Sequence, residues 1–474
     1  MPRVLVSAAH KSSGKTTVTL GLCAALRARG LAVQPFKKGP DYIDPMWLGL
    51  ASGRVCRNLD PYLMGWDEIA TLVARHAAGA DVALVEGNKG LYDGLALDGS
   101  NSNAALARAL GLPVVLVLDA RGMTRGIAPL ILGYQAFERD ITIAGVILNN
   151  LGGSRHEAKL RAVIEHYTDV KVLGAIQHEP RLAIAERHLG LVPSNEAGDS
   201  AQRIATIGAA IGAQVDLDAV LAVAGSAPAL AAPSRASHVG RRSTAETVRI
   251  GIARDRAFGF YYADDLEAMQ AAGAELVFFD TLEDARLPAV DGLFIGGGFP
   301  ESFLDELEAN VSLRVEIRAA IDAGLPVYAE CGGLMYLART LSWHGRSARM
   351  VGAIPGDALM HDKPVGRGYV ELRETGAMPW PQPKSSPLRA HEFHYSSLQN
   401  LDPGVRFAFA IERGYGTDGV HDGIVHRNVL ASYIHRRSVG ADDWAARFVA
   451  FVRSVKRSTR SSRAAVAAAT ACAA

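Results

Sequence analysis

Lys15 and Thr16 close the string Ala9-His10-Lys11-Ser12-Ser13-Gly14-Lys15-Thr16-Thr17, an order of residue types that can hold a nucleoside triphosphate. A loop ending in Gly-Lys-Thr at a helix start aims several backbone N–H groups and the positive helix end at one point, where a phosphate can sit. Ser13, Gly14 and Thr17 belong to this cradle, Lys15 would reach the β- and γ-phosphates, and Thr16 would hold magnesium. The usual pattern asks for glycine five residues before Gly14, where this chain has Ala9. Alanine can still follow a tight turn if its φ is negative.

Carboxylates accompany this loop. Lys38-Gly39-Pro40-Asp41-Tyr42-Ile43-Asp44-Pro45 offers Asp41 and Asp44 from a segment fixed by two prolines. Taken alone, such a turn reads equally well as solvated aspartates capping backbone N–H groups. The balance tips with Glu86, which ends the apolar run Val82-Ala83-Leu84-Val85 and is followed by Gly90-Leu91-Tyr92-Asp93-Gly94. A carboxylate at a strand tip beside a phosphate loop is where a second magnesium contact belongs. Asn149, at the tip of the run Ile143–Leu148, joins the candidate nucleotide site.

A second chemistry is written later in the chain. Pro326-Val327-Tyr328-Ala329-Glu330-Cys331-Gly332-Gly333-Leu334-Met335 reads as a strand that delivers a cysteine into a sharp turn with a helix just after it. Such an elbow exposes the side chain, and the glycines let a substrate come close. The helix N-terminus favours the thiolate. Ala431-Ser432-Tyr433-Ile434-His435 ends another strand with a histidine. Singly, Cys331 reads as a small buried apolar residue and His435 as a satisfied surface group. The elbow makes Cys331 the candidate nucleophile, and only the fold can bring His435 to it as a base.

The elements that must position these groups follow from the apolar runs. Val4-Leu5-Val6, Val33–Lys37, Val82–Val85, Val114–Leu118, Ile143–Leu148 and Val172–Ile176 are short apolar strands separated by helix-length segments. That alternation predicts an α/β fold with a parallel sheet covered on both faces, and ligands gather at the carboxyl ends of its strands. The first domain is expected to span residues 1–195, with a helical segment and linker over 196–247; Gly225–Thr247 is rich in Ala, Ser, Pro and Arg. A second α/β pattern covers 248–453 and includes the glycine turn Phe294-Ile295-Gly296-Gly297-Gly298. Residues 454–474, Arg/Ser-rich and then nearly all Ala, are expected to be disordered or a fraying helix.

Composition bounds the partners. The chain has 474 residues and a formal net charge of +1, which argues against a nucleic acid or an anionic membrane as the main partner. Its N-terminus shows no signal-peptide pattern and its longest apolar runs are far below a membrane span, so a cytoplasmic enzyme is expected. Cys23, Cys56, Cys331 and Cys472 form neither a zinc knuckle nor a disulfide framework. Cys23 is expected in the core of the first helix and Cys56 in a loop.

Taken together, these strings resemble the glutamine-dependent cobyrinic acid a,c-diamide synthases and their relatives that amidate other tetrapyrroles. The likeness runs from about residue 3 to 450 and also rests on Asn58-Leu59-Asp60, Phe258-Gly259-Phe260-Tyr261-Tyr262 and His391-Glu392-Phe393-His394-Tyr395-Ser396. It implies an N-terminal P-loop domain of the dethiobiotin synthetase type and a C-terminal class I glutamine amidotransferase domain. The implied reaction uses ATP and magnesium, the latter on Thr16, Asp41 and Glu86, to phosphorylate an acetate side chain of the macrocycle. Ammonia then displaces the phosphate. Cys331 would take that ammonia from glutamine, with Gly297, Gly298 and Gly332 at the oxyanion and His435 as acid. Asp41, Tyr42, Asp44 and Asp93 are the candidates for metal, substrate positioning or ammonia deprotonation, with those roles undivided among them. Free ammonia would be protonated in water, so a guarded path is expected. A homodimer is left open as the assembly.

Two departures accompany the resemblance. Triad amidotransferases carry a glutamate two residues after the histidine; here Arg437 stands there, and what orients His435 is not apparent. The family usually has a histidine shortly after Asp-Tyr-Ile-Asp-Pro, where this chain reads Met46-Trp47-Leu48. An apolar Leu48 beside a flat Trp47 in a specificity pocket would alter discrimination, which makes a sirohaem-type substrate the alternative to cobyrinic acid. A rival of another class is a switch ATPase of the partitioning kind. Its signature lysine five residues before Lys15 is absent, since that place is His10.

Overall fold

The computed structural model describes residues 1–187, 190–230, 245–380 and 387–473. These residues form two compact units on either side of 231–244, and most of the linker expected over Gly225–Thr247 lies outside the described residues.

The first unit is built on seven parallel strands: β1 (Arg3–Ala8), β2 (Val33–Lys38), β3 (Arg57–Leu59), β4 (Val82–Glu86), β5 (Val114–Asp119), β6 (Ile143–Leu151) and β7 (Val172–Gln177). Their spatial order is β3-β2-β4-β1-β5-β6-β7, parallel throughout. Val4–Val6, Val82–Val85 and Val114–Leu118 are fully buried, which is why these runs carry no polar alternation. Because all the strands point one way, the residues after β1, β2, β4 and β6 meet along one edge. Helix α1 (Lys15–Ala28) follows β1 and α2 (Ile43–Ser52) follows β2.

The helices Ser200–Gln214 and Leu217–Gly225 belong to this unit, so it extends beyond the boundary read at residue 195. Ile207 and Ile211 are fully buried, the Asp216 amide donates to the Leu173 carbonyl at 2.8 Å, and the Gln177 amide donates to the Gln214 side chain at 2.8 Å. An alanine-rich stripe is enough to cover a sheet face when a few branched residues interrupt it.

The second unit centres on a nine-stranded sheet. In spatial order its strands are Ala274–Phe279, Val248–Ala253, Gly292–Ile295, Val327–Glu330, Val429–Ser432, His421–His426, Arg406–Arg413, Gly366–Glu374 and Leu388–His394. The first five are parallel, as the α/β pattern predicts, and the rest are antiparallel. Phe294 stacks on Tyr328 with ring centroids 5.4 Å apart, and Trp444 meets both rings edge-on.

Trp444 opens a final helix, Trp444–Ala473, whose buried Trp444, Phe448 and Val452 recur every four residues. The helix does not stop at 453: through Ala473 the tail is helical, the second of the two states expected of it. Alanine has the highest helix propensity and no glycine or proline interrupts this segment.

Candidate active site

The phosphate loop is held from below by Asn149. Gly14 caps α1 at φ 83°, and a Cβ there would lie 2.1 Å from Asn149 Nδ2. That same amide donates to the Ser13 carbonyl at 2.9 Å, and Ser13 Oγ donates to the His10 carbonyl at 2.9 Å. Only glycine fits, for both its left-handed backbone and the close approach. Asn149 therefore bonds to the candidate phosphate loop. Thr17, in the first turn of α1, is partly exposed beside Thr16.

Beyond the loop, oxygens from three strand ends converge. Thr16 Oγ1 donates to Glu86 Oε1 at 2.7 Å and lies 3.3 Å from Asp44 Oδ2. Lys15 Nζ stands 3.8 Å from Glu86. Asp41 Oδ1 accepts the Asp44 backbone amide at 3.1 Å, at the start of α2. Asn58 Nδ2 donates to the carbonyls of Gly39 and Asp41 at 2.9 and 2.8 Å, so the second strand's loop is pinned to β3.

The sequence reading did not include Lys37, the cation at the centre of this cluster. Its ammonium donates to Glu86 Oε1 at 2.8 Å and to Asp44, and lies 3.7 Å from Asp41. A signal existed: Lys37 and Lys38 end a strand that is buried at every position. Burial pulls the Lys37 ammonium down, but Asp44, Glu86 and Asp41 outweigh it and hold it well above its ordinary value. Asp41 is pushed up to about 7, by burial first and the Asp44 carboxylate next. Burial also pushes Asp44 up, yet the Lys37 charge and hydrogen bond leave it below the usual range. Lys15 is lowered by burial and by Lys37.

Other expected residues stand apart. Asp93 is exposed and its Oδ2 accepts the Gly90 amide at 2.8 Å, outside the carboxylate cluster. Tyr42 caps α2 between Asp41 and Asp44. Trp47 and Leu48 are fully buried, and Trp47 Nε1 donates to the Val192 carbonyl at 2.9 Å. They face the core. Helical periodicity turns these two inward while Asp41 and Asp44 stay at the sheet edge.

In the second unit Cys331 adopts φ 48° and ψ −101°, a backbone conformation costly for a residue with a side chain. Its amide donates to the Ser432 carbonyl at 2.7 Å, and the short helix Gly332–Leu337 starts immediately after it. The three expected glycines converge here. A Cβ on Gly332 would lie 3.0 Å from the Gly298 amide nitrogen, and one on Gly297 would lie 2.8 Å from His435 Cε1. The elbow exists, but it does not expose the thiol or favour the thiolate. Cys331 is only 8% exposed, and burial, then the nearby Glu301, pushes the thiol up. A six-residue helix does not offset that.

His435, also buried, is in reach of this elbow: Glu330 pairs with Ser432 in the parallel register, three residues before it. His435 Nδ1 lies 3.3 Å from Glu330 Oε2. Its backbone exchanges two hydrogen bonds with His391, at 2.8 and 3.2 Å, and the two rings stack 5.0 Å apart at 15°. Arg437 pairs with Asp264 and lies over the Tyr262 ring at 5.0 Å. Cys23 and Cys56, the former as expected, are buried and free.

Residues 5–192 match the family model described as the CobQ/CobB/MinD/ParA nucleotide binding domain, and residues 249–440 match the CobB/CobQ-like glutamine amidotransferase domain. The chain is 49% identical over 460 residues to a cobyrinate a,c-diamide synthase of Magnetococcus marinus, covering 96% of this chain and 97% of that protein. A protein of the same name from Methanosarcina acetivorans is 44% identical over 475 residues, 95% of either chain. That of Methanosarcina barkeri is 41% identical over 484 residues, 97% of either chain.

Proposed function

The chain belongs to the cobyrinate a,c-diamide synthase family, and on that premise we propose how its residues divide an ATP- and glutamine-dependent amidation of the a and c carboxylates of cobyrinic acid. The observation that carries the assignment is Thr16 bonded to Glu86 at the foot of the phosphate loop, in a chain that also holds the Cys331 elbow.

The second unit supplies ammonia. Cys331 Sγ attacks the side-chain amide carbon of glutamine while His435 takes the thiol proton. The oxyanion that forms faces the backbone amides of Gly297, Gly298 and Gly332. When the tetrahedral intermediate collapses, the C–N bond breaks and His435 returns the proton to the departing nitrogen. Water then cleaves the thioester to glutamate and frees the thiol.

The first unit consumes it. The loop from Ser13 to Thr17 holds the ATP phosphates, with Lys15 on the phosphoryl group that is transferred to a substrate carboxylate. Ammonia attacks the resulting acyl phosphate, inorganic phosphate leaves and an amide remains; two rounds give the diamide. Asp41, Tyr42 and Asp44 are assigned to positioning the substrate carboxylate and ammonia, whereas Asp93 stands outside their cluster. Thr16, Asp41, Asp44 and Glu86 present the hard oxygens that suit magnesium, and Glu86 Oε2 is buried without a hydrogen bond among the described residues. Those four would hold the ion, which when bound neutralises phosphate charge.

The core positions of Trp47 and Leu48 leave nothing that favours sirohaem, and the amidotransferase unit sets this chain apart from a partitioning ATPase. Among the described residues no helix is long and apolar enough to cross a membrane. ATP as substrate and a free nucleophilic thiol suit the cytoplasm. The test offers the purified protein cobyrinic acid, hydrogenobyrinic acid and sirohaem in parallel with ATP, magnesium and glutamine. Products are weighed by mass spectrometry. One mass unit lost per carboxylate, twice over on cobyrinic acid, is expected; conversion of sirohaem alone refutes the assignment.

A further inference from the structure

We propose that Glu330, the residue immediately before the nucleophile, is the positioning residue that orients His435 and selects its reactive tautomer. The proposal rests on the reading that Cys331 and His435 carry out the glutamine chemistry.

An imidazole that must take a proton at one ring nitrogen needs the other nitrogen fixed by an acceptor. His391 is stacked almost parallel to His435, face to face, which presents no in-plane acceptor. Arg437 is a cation committed to Asp264, and Arg436 pairs with Asp442 through two contacts of 2.9 and 2.6 Å. Glu330 Oε2, 3.3 Å from His435 Nδ1, is the acceptor. Bonds of this kind are often long before substrate binds.

The carboxylate is itself fixed. Glu330 Oε1 accepts the Tyr328 hydroxyl at 2.6 Å and the Arg436 backbone amide at 3.0 Å. Tyr328 cannot swing away, because its ring is stacked on Phe294 and packed against Trp444. The side chains of Glu330 and His435 are 3% and 4% exposed, so no bulk water competes for this contact. A carboxylate oxygen accepts, so in the proposed pairing Nδ1 carries the ring proton and Nε2 the lone pair. In that tautomer the ring can take the Cys331 proton through Nε2. Burial, then Glu301, raises the Cys331 thiol, and a base oriented toward it offsets that.

This arrangement places the acid at the last residue of one strand and the nucleophile immediately after it, with the base after the neighbouring strand. Parallel pairing of Glu330 with Ser432 sets all three at once.

The test measures glutamate release by the full-length protein, with ATP, magnesium and cobyrinic acid, for Glu330→Gln, Glu330→Asp and Cys331→Ala. Glutamine at position 330 keeps the shape but can donate its amide to Nδ1 and hold the wrong tautomer. Its kcat should fall by a factor on the order of 10² to 10⁴, with KM for glutamine within about threefold and the pH profile displaced. Aspartate should restore part of the rate. A Glu330→Gln enzyme with kcat within about threefold and an unchanged pH profile, beside an inactive Cys331→Ala, overturns the role of Glu330 alone. Glutamate release by Cys331→Ala overturns the underlying reading as well. If thermal unfolding shows Glu330→Gln to be misfolded, Tyr328→Phe decides. It removes one of the two donors that fix Oε1, leaves the Arg436 amide in place and keeps the carboxylate; a lower kcat at constant KM supports the proposal, whereas no change overturns it.

Discussion

Lys37 Nζ stands 2.8 Å from Glu86 Oε1 with both side chains shut away from solvent, so the phosphate site carries its own internal cation. Removing one member of such a group strands the others. Lys37→Met should destabilise the first unit by about 3–5 kcal/mol, because Glu86 and Asp44 would be left buried without their partner. Urea unfolding checks this, and added magnesium should recover part of the loss. A midpoint equal to that of the parent would show that the cluster is held by other groups.

The two half-reactions should separate genetically. Cys331→Ala is expected to abolish amidation driven by glutamine while amidation driven by concentrated ammonium salt persists. Lys15→Ala should lower both by orders of magnitude, since it removes a charge acting on the transferring phosphoryl group. Product formation from each nitrogen source, measured side by side, decides. A folded Cys331→Ala protein that is inactive with ammonia would contradict the assignment.

Gly14→Ala tests the loop. A methyl group there meets Asn149 Nδ2 at 2.1 Å on a backbone with φ 83°, and the left-handed conformation alone costs roughly 1–2 kcal/mol for a residue with a Cβ. ATP affinity measured by calorimetry should fall roughly five- to thirtyfold by that cost. The double variant with Asn149→Gly, which relieves the collision but not the strain, should recover only part of it. Undiminished ATP binding by Gly14→Ala would show that the loop is free to rearrange.

His391 predicts acid sensitivity. Burial, then the neighbouring His435 and Arg437, holds its imidazole well below its ordinary value. The unfolded chain therefore binds a proton below about pH 6.5 that the folded protein does not. Stability conferred by the neutral ring is complete above that pH and is lost as pH falls, at up to about 1.4 kcal/mol per pH unit. His391→Gln should flatten that dependence between about pH 6.5 and 5 in urea titrations of the second unit. An equally steep slope in the variant would assign the sensitivity to other groups.

The strands of the first unit were legible because a parallel sheet covered on both faces demands uninterrupted apolar runs, and Gly14-Lys15-Thr16 and Glu86 stand at the ends of two of them. Lys37 was not, since a lysine closing a strand ordinarily reads as solvated. Its burial depends on three carboxylates that only the strand order assembles. Glu330 escaped notice for a related reason. An acid is sought close after the histidine in sequence, whereas Glu330 lies 105 residues before it. The antiparallel strands from Gly366 onward were equally obscure, because hairpin register depends on turns that leave weak marks in composition.

The parallel pairing of Glu330 with Ser432 also has a meaning for synthesis on the ribosome. The thiol emerges long before the strand that carries its base, while the phosphate loop and every strand of the sheet beneath it lie in the first 177 residues. Domains fold largely as they emerge, N-terminal first. A prematurely terminated chain that ends before Val429 can therefore fold its nucleotide half, but it has no base beside its cysteine. With Cys331 and His435 in their proposed roles, such a fragment would not hydrolyse glutamine to no purpose, and glutaminase competence would arrive only with a nearly finished polypeptide.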